Sequence, residues 1–236
     1  VAIRVVLVGI EGAVNLGVIA RTCVNFNVEE LYLVKPVASI EEAMHYAAHG
    51  RDLLSSSIIV ESLDEAIRGV DVSVATSAKG YSEGDVLRQA ISIGEFVEEI
   101  VPKAGKIALV FGRESTGLTR EELAKLDFLV SIPANPEYPV LNVSQAVAIF
   151  LWEIWKKQGV KPVNIPPRAT RDDIDKITSL LSEITSIVVS SRDKVDRCSR
   201  VLRRVIYRSM LSSYEARVIL YWARRTLRKL SGQSKC

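Results

Sequence analysis

The sequence predicts a doubly wound α/β sheet followed by a small, basic, all-helical region. Three observations predict it. Short Val-, Ile- and Leu-rich runs alternate with longer amphipathic stretches through the first 160 residues. These runs show little polar alternation, as expected of parallel strands covered on both faces. After Arg168 the strand signal stops and helical periodicity alone remains.

Taken in order, the strand-like runs are Ile3–Val8, Leu31–Val34, Ser57–Val60, Val72–Ala75, Ile107–Phe111 and Phe128–Ile132. Helices are expected between and after them at Leu16–Phe26, Ile40–Ala47, Leu63–Arg68, Leu87–Ile100, Arg120–Lys125 and Asn142–Lys157. Asp64 and Glu65 supply the acidic first turn of one helix. Thr119 with Glu122 has the capping-box spacing for another. Alternating βα units of this size imply an open α/β sheet. The segment GVKPVNIPPR, residues 159–168, carries three prolines and no apolar period, so it reads as a linker. Beyond it Ile174, Ile177, Leu181, Ile184, Ile187 and Val188 recur at helical spacing, and further helices are expected near Lys194–Met210 and Tyr214–Leu230. The expected organisation is a domain over 1–159, a linker over 160–170 and a helical domain over 171–236, its three helices sharing one apolar seam.

Composition narrows the function classes. With 48% hydrophobic and 25% charged residues the chain is in the globular range, not the disordered one. No run approaches the roughly 18 apolar residues of a membrane span. The N-terminal VAIRVVLVGI reads as a buried strand rather than a signal peptide. Cys23, Cys198 and Cys236 show no pairing or metal spacing, which fits a reducing compartment, with the cytoplasm as the expectation. The net charge of +3 hides an asymmetry: from Lys161 onward 17 Lys/Arg stand against 7 Asp/Glu, while the preceding residues hold 14 and 21. A basic end suits a polyanion, and equally a solvated helical face.

In open α/β sheets, ligands bind outside the carboxyl ends of the strands, so the loops there are the candidates for chemistry. After the first strand come Gly9, Gly12, Asn15, Gly17 and Arg21. Thr76–Gly80 follow the fourth; Gly112, Arg113, Glu114 and Gly117 follow the fifth. After the sixth, Pro133, Pro136 and Pro139 stiffen the approach to Asn142 and Ser144. Plainer roles exist for each. The glycines can serve turns, Asn142 can be a helix N-cap, and Glu114 can pair with Arg113 or another cation. The glycine spacing is neither GxGxxG nor a P-loop, which counts against a dehydrogenase or an NTPase. His45 and His49 lie at i, i+4 but lack HExxH and a third ligand, and Ser115 lacks a nucleophile elbow.

In order, these loops resemble the three signature motifs of the SpoU/TrmH branch of the SPOUT methyltransferases. They are N15-L-G-V-I-A-R21, then L109-V-F-G-R-E114-S-T-G-L118, then I132-P followed by L141-N-V-S-Q-A146. The resemblance covers residues 3–158. Within the branch, IPANPEYP at residues 132–139, the T76-S-A78 loop and the helical C-terminal region are most similar to TrmJ-type tRNA methyltransferases.

The resemblance implies more than periodicity can. Its fold threads the C-terminal part of the sheet domain into a deep trefoil knot, which pattern reading would never propose. Its cofactor is S-adenosyl-L-methionine, held through Thr76, Ser77, Ala78, Gly112, Arg113, Glu114, Ile132, Leu141, Asn142 and Ser144. Its catalytic residues would be Arg21, Asn15, Glu114 and Asn142, with Arg21 approaching the cofactor of the partner in a homodimer. Asn15 would orient Arg21 or the ribose, and Glu114 would hold an arginine or the motif network. The reaction would be methylation of a tRNA ribose 2′-hydroxyl, at nucleotide 32 where the anticodon loop begins, with no metal and no membrane. Arg21 together with Arg197, Arg200, Arg204 and Arg208, which fall on one helical face, would bind RNA; Arg217, Arg224 and Arg228 repeat the spacing. The sequence departs from the motif at one place. Val140 stands where many relatives carry serine, and Ser144, two residues after Asn142, would partly substitute for it. Two other readings stay open: a ribosomal RNA 2′-O-methyltransferase, and an RNA-binding protein of the same fold without catalysis.

Overall fold

The computed structural model describes residues 1–76, 84–159 and 165–232. The chain divides into two compact units, Val1–Val160 and Lys161–Cys236.

The first unit is built on β1 (Ala2–Val8), β2 (Glu30–Val34), β3 (Ile58–Val60), β4 (Val72–Thr76), β5 (Ala90–Ser92), β6 (Lys106–Phe111) and β7 (Phe128–Ser131). They form one sheet in the order β3-β2-β1-β6-β4-β7-β5, with every pair parallel. Its helices are α1 (Ala13–Asn25), α2 (Ile40–Ala47), α3 (Arg51–Ser55), α4 (Leu63–Ala66), α5 (Ile93–Glu95, continuing as a π-helical turn to Ile100), α6 (Arg120–Leu123) and α7 (Val143–Lys157).

The apolar runs are continuous because both sheet faces are covered. Alternate residues of β1 point to opposite sides. Val5 and Leu7 join a core with Leu33, Leu109 and Phe111 under α1, α2 and α7. Val6 and Val8 join Val34, Ala108 and Val110 under Leu63 and Ala66 of α4. On that second face, at the opposite end of the strand from the candidate loops, sits a buried charge. Arg4 donates to Glu30 at 2.6 Å and to the carbonyls of Ala66 (2.7 Å) and Arg68 (2.9 Å), and lies over the Tyr32 ring. Lys106 reaches the other oxygen of Glu30 at 2.5 Å.

Six expected strands lie within a residue or two of the observed ones. The expected helix over Leu87–Ile100 is corrected. Asp85 caps a short 3₁₀ turn at Val86–Arg88, β5 follows, and a Ser92–Glu95 capping box starts α5. A three-residue strand at the sheet edge leaves no period to read, and the apolar residues flanking it mimic a helical repeat.

In the second unit α8 (Arg171–Val188), α9 (Arg192–Arg208) and α10 (Ser213–Gly232) are helical. Thr170 and Asp173 form a reciprocal cap on α8. The shared seam expected for three helices is corrected: Ile177 of α8 packs with Ala216 and Leu220 of α10, whereas α9 buries no residue fully and contributes only the half-buried Ile206. α9 does carry an apolar stripe, but its Val195, Leu202 and Ile206 are only half-buried and its Val201 and Val205 are exposed, so the stripe does not close into that seam.

Candidate active site

The strand order decides where the site lies. β1, β6, β4 and β7 are consecutive neighbours in a parallel sheet, so their carboxyl ends lie side by side. All four candidate loops therefore leave one edge next to one another. The topology also reverses here: the chain runs outward from β1 to β3, then crosses to β4 and β7 on the far side of β6. That is where an open α/β sheet leaves a crevice.

Three of the loops are joined by hydrogen bonds. Glu114, after β6, accepts from the backbone N–H of Glu11 at 2.9 Å and of Gly12 at 3.0 Å, and from Asn15 Nδ2 at 2.9 Å. These donors lie at the start of α1, where unpaired N–H groups and the helix dipole favour an anion. Asn15 Oδ1 in turn accepts from Asn142 Nδ2 at 3.1 Å. Asn142 caps α7: its Oδ1 accepts from the Ser144 N–H at 2.8 Å and the Ser144 hydroxyl at 2.7 Å, and Gln145 closes a capping box. The plain role of Asn142 as N-cap and its place in the motif network are thus one arrangement. Ser144 spends its hydroxyl on that cap. Burial works against the charge of Glu114, but the bonds from Asn15 and the backbone outweigh it and hold the carboxyl below its usual range.

Of the two roles expected of Glu114, holding an arginine or holding the loop network, the structure shows the second. Arg113 turns the other way and makes a bidentate pair with Glu122, both bonds 3.0 Å. Burial again opposes the Glu122 charge, and Arg113 overcomes it. Arg113 also passes over Gly9: a β-carbon there would lie 2.8 Å from its Nε, and Gly9 has a φ of +61° that favours glycine. Gly112 is needed by the loop itself, since a β-carbon on it would stand 2.3 Å from the Gly117 carbonyl carbon and 2.4 Å from the Leu118 nitrogen.

Arg21 stands apart. It is exposed on α1 and makes no hydrogen bond or ion pair among the described residues, and Asn15 binds Glu114 and Asn142 rather than orienting it. Val14 (50% exposed) and Val18 (37%) flank it on the same helical face. Trp152, on the α7 helix that packs against α1, is 50% exposed. Thr76 ends β4 with its hydroxyl on the Val110 carbonyl of β6. Ser77 and Ala78 lie outside the described residues. Ile132 and Leu141 are half-buried at the same edge, and Val140 is exposed. In the second unit Arg197, Arg200, Arg204 and Arg208 are all exposed along α9.

Sequence reasoning missed Glu11. Its carboxylate accepts from the Ser115 N–H at 3.1 Å and hydroxyl at 2.7 Å, so the first two loops clasp each other reciprocally, Glu114 holding residues 11–12 and Glu11 holding Ser115. An acidic residue just before a glycine-led helix start was its only signal. Among the described residues no cluster of three or more His, Cys, Asp or Glu could hold a metal. Nor is any described helix long and apolar enough to cross a membrane.

The profile of the SpoU rRNA methylase family matches residues 2–152, the span that carries every loop of this edge. The chain belongs to the SpoU methylase family. A SpoU relative from Sulfolobus acidocaldarius, the tRNA (cytidine-2′-O-)-methyltransferase TrmJ, is 42% identical over 229 residues, covering 97% of this chain and 93% of that protein. Among solved structures, TrmJ from Z. mobilis superposes with a TM-score of 0.71 over 98% of this chain and 99% of that one, at 22% identity. The SpoU methyltransferase AviRb from Streptomyces viridochromogenes, solved with AdoMet, gives 0.54 over 68% of this chain and 59% of that one, at 19% identity. Against these the SpoU fold is plain, and the loops bridged here by Asn15, Glu114 and Asn142 all lie within the span that the family profile matches.

Proposed function

We propose that this protein transfers a methyl group from S-adenosylmethionine to the ribose 2′-hydroxyl of a cytidine in tRNA, at nucleotide 32. One observation carries the reading: Asn15, Glu114 and Asn142 tie the loops after β1 and β6 to the start of α7 at a single sheet edge. The relative from S. acidocaldarius, similar over nearly its whole length, supports tRNA and cytidine. Position 32 rests on the TrmJ-like stretch at residues 132–139.

The donor set fits the cofactor. Ile132, Leu141 and Leu118 are half-buried apolar residues of the loops at this sheet edge, and the backbone of Leu118 lies close to Gly112. The sequence carries no P-loop motif with its lysine, which suits an uncharged adenosine with an amino-acid tail better than a nucleotide phosphate. The cofactor, when bound, supplies a methyl group already activated on a sulfonium. The remaining task is alignment, and stabilisation of negative charge developing on the ribose oxygen. Arg21 suits the second part because its guanidinium stays protonated, so it grips the target phosphate and the 2′-oxygen rather than acting as a base. Asn15 and Asn142 each commit one amide N–H to the network and keep a second to orient the nucleotide. Glu114 positions both.

The same reading takes the enzyme to be a homodimer, with Arg21 serving the site of the partner. The exposed Val14 and Val18 around Arg21, and the half-exposed Trp152 of α7, whose ring lies 6.3 Å from that of Phe26 at the end of α1, support an apolar contact there. It also takes the sheet domain to be knotted. β6 enters between β1 and β4, and β7 between β4 and β5, before the chain leaves for α7 against α1.

The test is incorporation of labelled methyl from S-adenosylmethionine into unmodified tRNA and, in parallel, ribosomal RNA, followed by nucleoside analysis. The expected product is 2′-O-methylcytidine from tRNA. Label confined to ribosomal RNA overturns the substrate, and no label in either overturns the activity.

A further inference from the structure

The helix α10 carries a surface that phosphate binding alone does not explain. Tyr214, Arg217, Tyr221, Arg224, Arg225 and Arg228 fall on one face of it, at offsets 0, 3, 7, 10, 11 and 14. They span about 21 Å at 1.5 Å per residue. Both tyrosines are solvent-facing, Tyr214 67% and Tyr221 63% exposed. The arginines form no salt bridge among the described residues, and the lower part of the face, from Arg217 to Arg228, lines a shallow cavity of about 280 Å³. Two guanidiniums lie against the rings instead: Arg217 at 6.0 Å from the Tyr214 centroid, and Arg225 at 5.6 Å from that of Tyr221, with its Nε 3.2 Å from the Tyr221 hydroxyl.

A face that only neutralised phosphates would need the arginines and not the rings. A protein–protein contact would need an apolar centre with few charges, whereas four unpaired cations here surround two rings. Aromatic rings interleaved with arginines are what single-stranded nucleic acid requires: each base has a π face to stack on a ring, and each phosphate takes a cation. We propose that this face of α10 binds unpaired nucleotides of RNA, with Tyr221 and Tyr214 as stacking platforms, Arg217 on the backbone between them and Arg224 and Arg228 on the backbone beyond Tyr221. The arginines beside the rings hold them in place and extend the stacking surface. The inference rests on the tRNA reading for its natural ligand, a loop or single-stranded end, but not for its chemistry.

The experiment therefore uses two probes on the full-length protein, a twelve-nucleotide oligouridylate and an unmodified tRNA transcript, with binding followed by fluorescence anisotropy across a salt series. Tyr221→Ala is expected to weaken oligouridylate binding about thirtyfold, the middle of the range for losing one base–ring stack. Tyr221→Phe should retain wild-type affinity. Arg224→Gln should lower the salt dependence by about 0.7 in log–log slope, the single-strand value for one phosphate contact. Cofactor affinity by calorimetry and the helical circular dichroism should be unchanged in all three. Wild-type affinity in Tyr221→Ala overturns the proposal, as does an equal loss in Tyr221→Phe. A change of sedimentation coefficient in Tyr221→Ala also overturns it, because the face would then be a contact between protomers. If tRNA is not methylated but oligouridylate binding still depends on Tyr221, the proposed activity fails and this inference stands.

Discussion

Glu114 offers the sharpest test of the site, because three donors converge on its two oxygens. Oε2 takes the Glu11 N–H, while Oε1 takes the Gly12 N–H and the amide of Asn15. In Glu114→Gln the shape is kept, but one acceptor becomes an NH₂. Whichever way the new amide sits, that group faces at least one donor. Rotating Asn15 to compensate would break its bond from Asn142. A hydrogen bond to a charged group contributes about 1.5–3 kcal/mol, and partial exposure lets water recover some of it, so a loss of about 1–2 kcal/mol is expected. With a urea m-value of about 2 kcal/mol/M, the midpoint should fall by about 0.5–1 M at pH 7. The sign of the pH dependence follows from the lowered carboxyl of the folded state. Its contribution is present above the ordinary glutamate value of 4.5 and is lost as pH falls through the folded value. The gap between wild type and variant should therefore narrow steadily below pH 4.5. Methyl transfer should fall with the variant still folded, since Asn15 and Asn142 lose their common anchor. An unchanged midpoint at pH 7, or a gap that stays constant down to pH 3, would refute the assignment of Glu114 as the charged anchor of the loops.

Arg21→Ala should abolish methyl transfer while calorimetric affinity for S-adenosylmethionine stays at the wild-type level; appreciable turnover would remove Arg21 from the mechanism. Gly112→Ala forces a β-carbon against Gly117 and Leu118, so thermal denaturation should show a loss of about 1–3 kcal/mol and calorimetry a weakened cofactor site. Unchanged values in both would mean that the loop yields freely. Arg4→Met strands the carbonyls of Ala66 and Arg68 and leaves Glu30 with Lys106 alone, and should cost about 2–4 kcal/mol in denaturant without altering turnover per folded molecule. Burial pushes the Cys23 thiol up to about 12, so alkylation of the native protein at pH 8 should label the exposed Cys198 and spare Cys23, as read by peptide mass mapping.

The central strands were legible because burial on both faces demands unbroken apolar runs, and VVLV at residues 5–8 or IALVF at 107–111 fits nothing else so short. The edge strand β5 was not: three residues between a 3₁₀ turn and a cap carry no period. Thr119 and Glu122 announced α6 because a capping box is wholly local. Arg4 gave no such sign, since its partners stand 26 to 64 residues away. Asn15, Glu114 and Asn142 were named from the sequence, but not the wiring that joins them. Glu114 has a cation as its sequence neighbour, yet Arg113 points to Glu122 nine residues on, and the real donors, two backbone N–H groups and the Asn15 amide, stand about a hundred residues back. Glu11 escaped notice for the same reason, its partner Ser115 being fixed only once β1 and β6 pair. On α9 the periodicity of the arginines was legible, and the lack of burial beneath them was not.

The placement of β6 between β1 and β4 also governs how the chain can be made. Synthesis proceeds from the N-terminus, so β1 to β4 emerge well before residue 106 does. Until then β1 and β4 have no direct partner in each other; in the finished sheet they stand two strand spacings apart, about 10 Å. A nascent chain at that stage carries three unsatisfied strand edges, one on β1 and both of β4, rich in valine, and such edges invite pairing with other chains. The late arrival of KIALVF closes the two that face each other at once, and β7 then covers the other edge of β4. Closure of the two facing edges and completion of the carboxyl edge that bears Glu114 are therefore a single event, and a truncated product ending before residue 106 is expected to be a hazard to the cell rather than a weaker enzyme.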